Sequence, residues 1–242
     1  MIGVDSLLYK IDQRLNKLST HEHQQIQLED KILSLNEAQI KLIKTKVDPN
    51  NIYKLGFDAF KKRYQDLQFL VENFKDHKLA LALIDSNLNQ YEADVSDLDP
   101  KFMFYVDSYI VADKGNCKDK ILYSNLDLVK HADITLLLGN SNYKPSFEFR
   151  ETLVDVSMNE IHVYSDGTFT PKFIHLSYLR YPLYIDKAGY EKFDGSASKD
   201  QDCELEDYLE DELLDITVEN LSTYTENDYA AQSAKYRKET DE

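Results

Sequence analysis

Apolar residues recur at helical spacing through the first part of the chain. Leu8, Ile11, Leu15 and Leu18 stand three and four apart, and Leu28, Ile32, Leu35 and Leu42 resume the stripe after a polar break at residues 19–23. This periodicity predicts two helices between Asp5 and about Ile43 with a coiled-coil-like seam, the second started by a hydroxyl cap within the break. Asp48-Pro49-Asn50-Asn51 ends it and opens a third helix, whose stripe includes Ile52, Ala59, Phe60, Tyr64, Leu67, Leu70 and Phe74. Residues 77–91 read as its continuation or as a fourth helix, so residues 1–98 are expected to form a three- or four-helix bundle.

Beyond Asp97-Leu98-Asp99-Pro100 the chain shifts toward β-formers. Residues 102–111 read as a strand, residues 120–138 are ambiguous, and residues 145–185 read as three or more strands. The firmest local pattern is a hairpin between residues 159 and 186. Ile161 and Val163 alternate on its first arm, Phe173, His175, Ser177, Leu179 and Tyr181 share a face of the second, and Ser165-Asp166-Gly167-Thr168 lies between them. A two-residue Asp-Gly loop accepts the positive φ angles of a type I′ turn, whose twist matches that of paired strands. Residues 147–156 are expected to pair antiparallel with the first arm through a turn near Met158-Asn159. Pro182, with no amide to donate, should mark a strand edge or end. Residues 204–221 return to helix, with Leu205, Leu209, Leu213 and Ile216 on one stripe and the acids facing out, approached through a flexible Gly195-Ser196-Ala197-Ser198. The expected class is α+β: a helical bundle (1–98), an antiparallel β-layer with a central hairpin (99–187), an acidic C-terminal amphipathic helix packed on the bundle (188–222), and an extended or disordered tail (223–242).

At 242 residues and 42% hydrophobic content the chain can bury a real core. Seventeen tyrosines and eleven phenylalanines, with no tryptophan, suit protein interfaces as well as cores. The net charge is −16, and from Glu191 onward seventeen acids face five Lys and Arg, so twelve of those charges fall in the last fifth. Such a surface repels nucleic-acid phosphates, which argues against sequence reading or packaging by direct contact. Cys117 and Cys203 are too few and too far apart for a disulfide framework or a cysteine metal site, and a reducing interior is the simplest compartment. The N-terminus lacks a signal-peptide pattern and no apolar run approaches the ~18 residues of a membrane helix, so a soluble protein without a membrane partner is expected.

Candidate chemistry is sparse. His21 and His23 lie on different faces of a helix and make a poor metal pair. His162 and His175 fall on the two arms of the predicted hairpin, but no cysteine or carboxylate is spaced along the sequence to complete a site, and both are read as structural. The acid clusters Asp99/Asp107 and Glu210/Asp211/Glu212 lack any sign of a raised-pKa partner. There is no Gly-rich phosphate loop, no Gly-x-Ser-x-Gly elbow and no His-Glu-x-x-His. The expectation is a non-enzyme, with no catalytic, cofactor-binding or metal residues.

The order of N-terminal helices, Asn142-Tyr143-Lys144-Pro145-Ser146, the Val163-Tyr164-Ser165-Asp166-Gly167 element, Tyr178-Leu179-Arg180-Tyr181-Pro182, Ile185-Asp186 and an acidic amphipathic helix resembles the head-to-tail connector proteins of crAss-like tailed bacteriophages. The likeness covers roughly residues 100–220. It implies a virion structural protein: a ring subunit or adaptor joining portal to tail, made in the host bacterial cytoplasm and placed at the portal–tail junction. It also implies about twelve copies around a channel through which genomic DNA passes without specific binding. The partners implied are further copies of the chain, the portal and neighbouring tail or ring proteins. Tyr178, Arg180, Tyr181, Tyr224, Tyr229 and Tyr236 are the expected interface residues, and the tyrosine-bearing tail is expected to bind an adjacent subunit or ring. Acids near residues 200–219 would either line the channel or face solvent. The alternative reading is an intracellular protein-binding module, oligomerised by its N-terminal coiled-coil-like helices.

Overall fold

The computed structural model describes residues 2–16, 26–47, 66–73, 77–124, 129, 131–157, 159–192 and 195–224. The protein is mixed α+β, with helices α1 (Val4–Asn16), α2 (Leu28–Val47), α3 (Ile134–Gly139) and α4 (Glu210–Tyr224). The strands are β1 (Val71–Glu72), β2 (Lys78–Ala80), β3 (Ala82–Asp85), β4 (Gln90–Asp94), β5 (Phe102–Lys114), β6 (Cys117–Ser124), β7 (Glu151–Ser157), β8 (Glu160–Tyr164) and β9 (Thr170–Arg180). Two compact units result: Met1–Gln68 with Pro182–Glu242, and Phe69–Tyr181. No helix of the described residues is long and apolar enough to cross a membrane.

In the first unit α4 packs against α1 and α2. Helix α1 buries Val4, Leu7, Ile11 and Leu15, so its stripe runs through Leu7, with Leu8 only half-buried. Helix α2 buries Ile32, Leu35, Ala38, Leu42 and Ile43, and the α4 segment buries Leu205, Leu209, Leu213 and Ile216 as its spacing predicts. The acids of α4 do not simply face outward. Glu210 pairs with Lys10, Asp211 and Asp215 with Arg14, Glu212 with Lys46, and Glu219 with Lys41. These acids flank the apolar stripe, where they meet basic residues flanking the stripes of α1 and α2, as e and g positions do in a coiled coil. The predicted third helix falls largely on residues outside those described; of its stripe, Leu67 and Leu70 are buried around a short 3-10 turn, Gln68–Leu70.

Two polar side chains order the rest of this unit. Asn36, buried in α2, treats Ile185 as a strand would: its Nδ2 donates to the Ile185 carbonyl at 2.9 Å and its Oδ1 accepts the Ile185 amide at 2.8 Å. Asp186 accepts the amides of Lys187 and Lys199 and the Tyr190 hydroxyl, and pairs with Lys192 at 2.8 Å. Residues 195–198, expected to be flexible, are tied down. Ala197 bridges to Glu191, and Ser198 Oγ accepts the amides of Gly189 and Tyr190 while donating to the Tyr190 carbonyl.

The second unit overturns the helical reading of residues 77–91, which form β2, β3 and β4; the β-region therefore begins near residue 69, not 99. Its strand order is β1-β9-β5-β6-β7-β8-β4-β3, with β2 also pairing β9. All neighbours are antiparallel except β6 and β7, which meet in a short parallel pairing at Tyr123–Ser124. Ile110, Ile174, Leu176 and Tyr178 from β5 and β9 share one core with Tyr91, Ala93, Val154, Ile161 and Val163 from β4, β7 and β8. The two antiparallel halves thus pack face to face across that core. Strands β7 and β8 pair in antiparallel register as expected, from Leu153 opposite Tyr164 to Ser157 opposite Glu160.

The predicted hairpin is corrected. Strand β8 has β4 on one side and β7 on the other, which leaves no edge for β9, while β9 pairs with β1, β2 and β5. The Asp166-Gly167 segment carries the chain from one half to the other. Thr168 N bonds to Asp166 Oδ1 and Gly167 N to Ser165 Oγ, so the segment caps its own turn. Gly167 has φ +81°, and a Cβ there would lie 3.1 Å from Asn89 Nδ2. An Asp-Gly turn satisfies such an arch as well as a hairpin, and the pattern of the arms is the same in both.

Candidate functional site

The outer face of the β4–β8–β7 layer, opposite the shared core, carries a polar cluster centred on His162. Register places Glu92 on β4 and Asp155 on β7 directly across from His162 on β8. With side chains alternating between faces, all three share the outer one. The imidazole is 9% exposed: its Nδ1 lies 3.6 Å from Asp155 Oδ2, and its Nε2 lies 3.6 Å from Glu92 Oε2 and 3.5 Å from Glu160 Oε2. His162 Nδ1 is buried without a hydrogen-bond partner.

A second histidine enters from the segment that covers this face. Val129 and Ile134 pack on Leu153 and Tyr164 in an apolar cluster. The intervening 3-10 turn brings His131 Nδ1 to 2.9 Å from Asp155 Oδ2. His131 is 74% exposed, so the cluster opens to solvent on that side. Burial, together with the nearby charge of Asp155, pushes the Tyr164 phenol up to about 12. Among the described residues Asp155, Glu92 and Glu160 pair with histidine alone. Two ligand sets arise: His131, Asp155 and His162, and Glu92, Glu160 and His162. Linear spacing shows only Glu160, two residues before His162 on β8; Glu92 and Asp155 are cross-strand neighbours, which spacing along the sequence does not reveal. His175, its supposed companion, lies on β9 and stacks on Tyr109.

The second feature is a sheet edge that no other described strand covers. Strand β3 ends the strand order, and its Leu83 and Ile84 are 54% and 53% exposed. An exposed apolar edge presents unpaired amides and carbonyls to another strand.

Of the expected interface residues, Tyr178 is a correction. It is fully buried, donates its hydroxyl to the Pro100 carbonyl and packs edge-on to His77, so it serves the core. Its place on the inward face of β9, with Ile174 and Leu176, was hidden by reading the opposite set as the patterned one. Arg180 holds Glu72 of β1 at 3.1 Å and is mostly covered. Tyr181 is 41% exposed, with its amide donated to the Lys101 carbonyl. Tyr224 ends α4, and Tyr229, Tyr236, His21 and His23 lie outside the described residues. Of the acid clusters, Glu210, Asp211 and Glu212 are in the ion pairs above, and Asp107 accepts the Ser108 amide. No protein-family model matches the chain, and no curated protein matches it.

Proposed function

We propose that this protein is a structural assembly subunit, a ring-forming adaptor of the kind found at the portal–tail junction of crAss-like tailed bacteriophages. The observation that carries the reading is the exposed apolar edge of β3, which suits extension of the sheet by a strand or tail of a neighbouring copy. Leu83 and Ile84 are already about half covered, so covering the remainder is worth about 0.8–1.6 kcal/mol each, and a single contact is weak. Closure into a ring makes every copy hold two neighbours and multiplies that weak contact. Head-to-tail repetition also asks for a second, different patch, and the exposed Tyr181 is our candidate member of it. The competing reading, oligomerisation through the N-terminal helices, has less room, because the stripes of α1 and α2 are already covered by α4 of the same chain.

Sedimentation velocity of the full chain across a concentration series tests the proposal, with Leu83→Lys as the comparison. The wild-type chain should form a closed oligomer, and Leu83→Lys should remain monomeric with an unchanged circular dichroism spectrum. A wild-type chain that stays monomeric at every concentration, or a variant that assembles equally well, removes the reading.

A further inference from the structure

We propose that His131 Nδ1, Asp155 Oδ2 and His162 Nδ1 form a binding site for a divalent transition-metal ion such as zinc, which clips the α3 segment onto the β7–β8 face. The inference stands apart from the assembly reading and rests on different residues.

Three observations carry it. The first is geometric. Oxygen and nitrogen ligands about 2.0–2.2 Å from a tetrahedral ion lie about 3.3–3.6 Å from one another. Here the Asp155 oxygen is 2.9 Å from His131 Nδ1 and 3.6 Å from His162 Nδ1, and all three ligand atoms fall within 4.8 Å of each other. The Asp155 pairs are within about 0.4 Å of that spacing, and the two histidines within about 1.2 Å of it, a movement available to the exposed His131 ring.

The second is the orphaned nitrogen. His162 Nδ1 is buried, lacks a hydrogen-bond partner and lies beside the Asp155 carboxylate. A buried polar atom left unmatched is destabilising, and a metal bond to its lone pair removes that penalty. The opposite ring nitrogen, Nε2, faces Glu92 and Glu160. A metal-bound histidine characteristically gives its other N–H to a carboxylate, which fixes the tautomer and aims the free lone pair at the ion.

The third is charge. Three carboxylates surround one imidazole, and among the described residues no lysine or arginine pairs with any of them. A dipositive ion balances this charge better than a single imidazolium. Two imidazole nitrogens in the ligand set select zinc, cobalt, nickel or copper over magnesium or calcium, which favour oxygen. With three protein ligands, the fourth position belongs to water and opens on the side where His131 meets solvent.

The test uses the full chain, stripped with a chelator and titrated with Zn2+ by calorimetry and with Co2+ by visible absorption. One ion per chain is expected, with the intense d–d bands of four-coordinate cobalt, and Mg2+ should not compete. Because His131 is exposed, His131→Ala should fold normally yet weaken binding by at least tenfold and lose the cobalt bands. Glu160→Gln, acting through His162, should weaken binding by about 10–100-fold while keeping the bands. Absence of stoichiometric binding overturns the proposal, as does binding that His131→Ala leaves unchanged. A doubly protonated His162 ring, seen by 15N NMR at neutral pH with and without Zn2+, also overturns it by identifying an ion-paired imidazolium.

Discussion

Asn36 gives the sharpest prediction about the helical unit. Its amide is the partner of both backbone polar groups of Ile185, which is itself completely buried. Asn36→Ala leaves an amide and a carbonyl without partners in the interior. Each buried orphan costs about 1–3 kcal/mol, so the substitution should destabilise the protein by about 2–6 kcal/mol, with about 4 kcal/mol as the central value. For a chain of this size that central value corresponds to a fall in Tm of about 8–16 °C. Asn36→Asp should be worse, because it retains the acceptor for the Ile185 amide but sets a carboxylate against the carbonyls of Ile32 and Ile185. Urea unfolding followed by far-UV circular dichroism measures the cost, and hydrogen exchange at the Ile185 amide locates it. A loss below about 1 kcal/mol for Asn36→Ala, or an Ile185 amide still as protected as in the wild type, refutes the reading of this pair as the buried tie between α2 and Ile185.

Two further predictions concern titratable groups. Tyr178→Phe should cost about 1–2 kcal/mol in urea unfolding by orphaning the Pro100 carbonyl, and should leave assembly unaltered; an assembly defect without a stability loss would return Tyr178 to the interface. In the wild type, burial, then the charges of Glu72 and Asp99, push the Tyr178 phenol up to about 12. The native contribution of its neutral form is therefore complete below the ordinary tyrosine value of about 10 and is lost as pH rises through about 12, which ultraviolet titration against unfolding follows. For Asp186, burial alone raises the carboxyl, but Lys192, the Tyr190 hydroxyl and the amides of Lys199 and Lys187 outweigh it and hold the group below the usual range. Its stabilisation is present above the unfolded value of about 3.9 and disappears as pH falls through the lower folded one. NMR shifts of the Lys187 and Lys199 amides should report that low midpoint; a midpoint at or above about 3.9 would contradict it.

The parts of the fold legible in sequence were those set by one local period. The stripes of α2 and the α4 segment, strand β5 and the antiparallel pairing of β7 with β8 follow directly from spacing. Residues 77–91 misled because leucine and alanine favour helices, although Leu79, Leu81 and Leu83 alternate; Leu79 and Leu81 do pack against the shared core. The hairpin that does exist between β5 and β6 had a signal of its own in Gly115-Asn116, a two-residue loop with Gly115 at φ +52°, yet Asp166-Gly167 drew the attention. Which strands meet is a tertiary property. That is why the arch at Gly167 resembles a hairpin, and why the His162 cluster, assembled across three strands and a turn, leaves only Glu160 beside His162 as a linear trace.

The central claim is that copies of this chain build a closed assembly. Electron microscopy of the purified full-length protein, alone and mixed with the portal it is proposed to meet, tests it most directly. The account predicts discrete rings of uniform diameter that disappear in Leu83→Lys. Fields of single particles of monomer size under both conditions would contradict it.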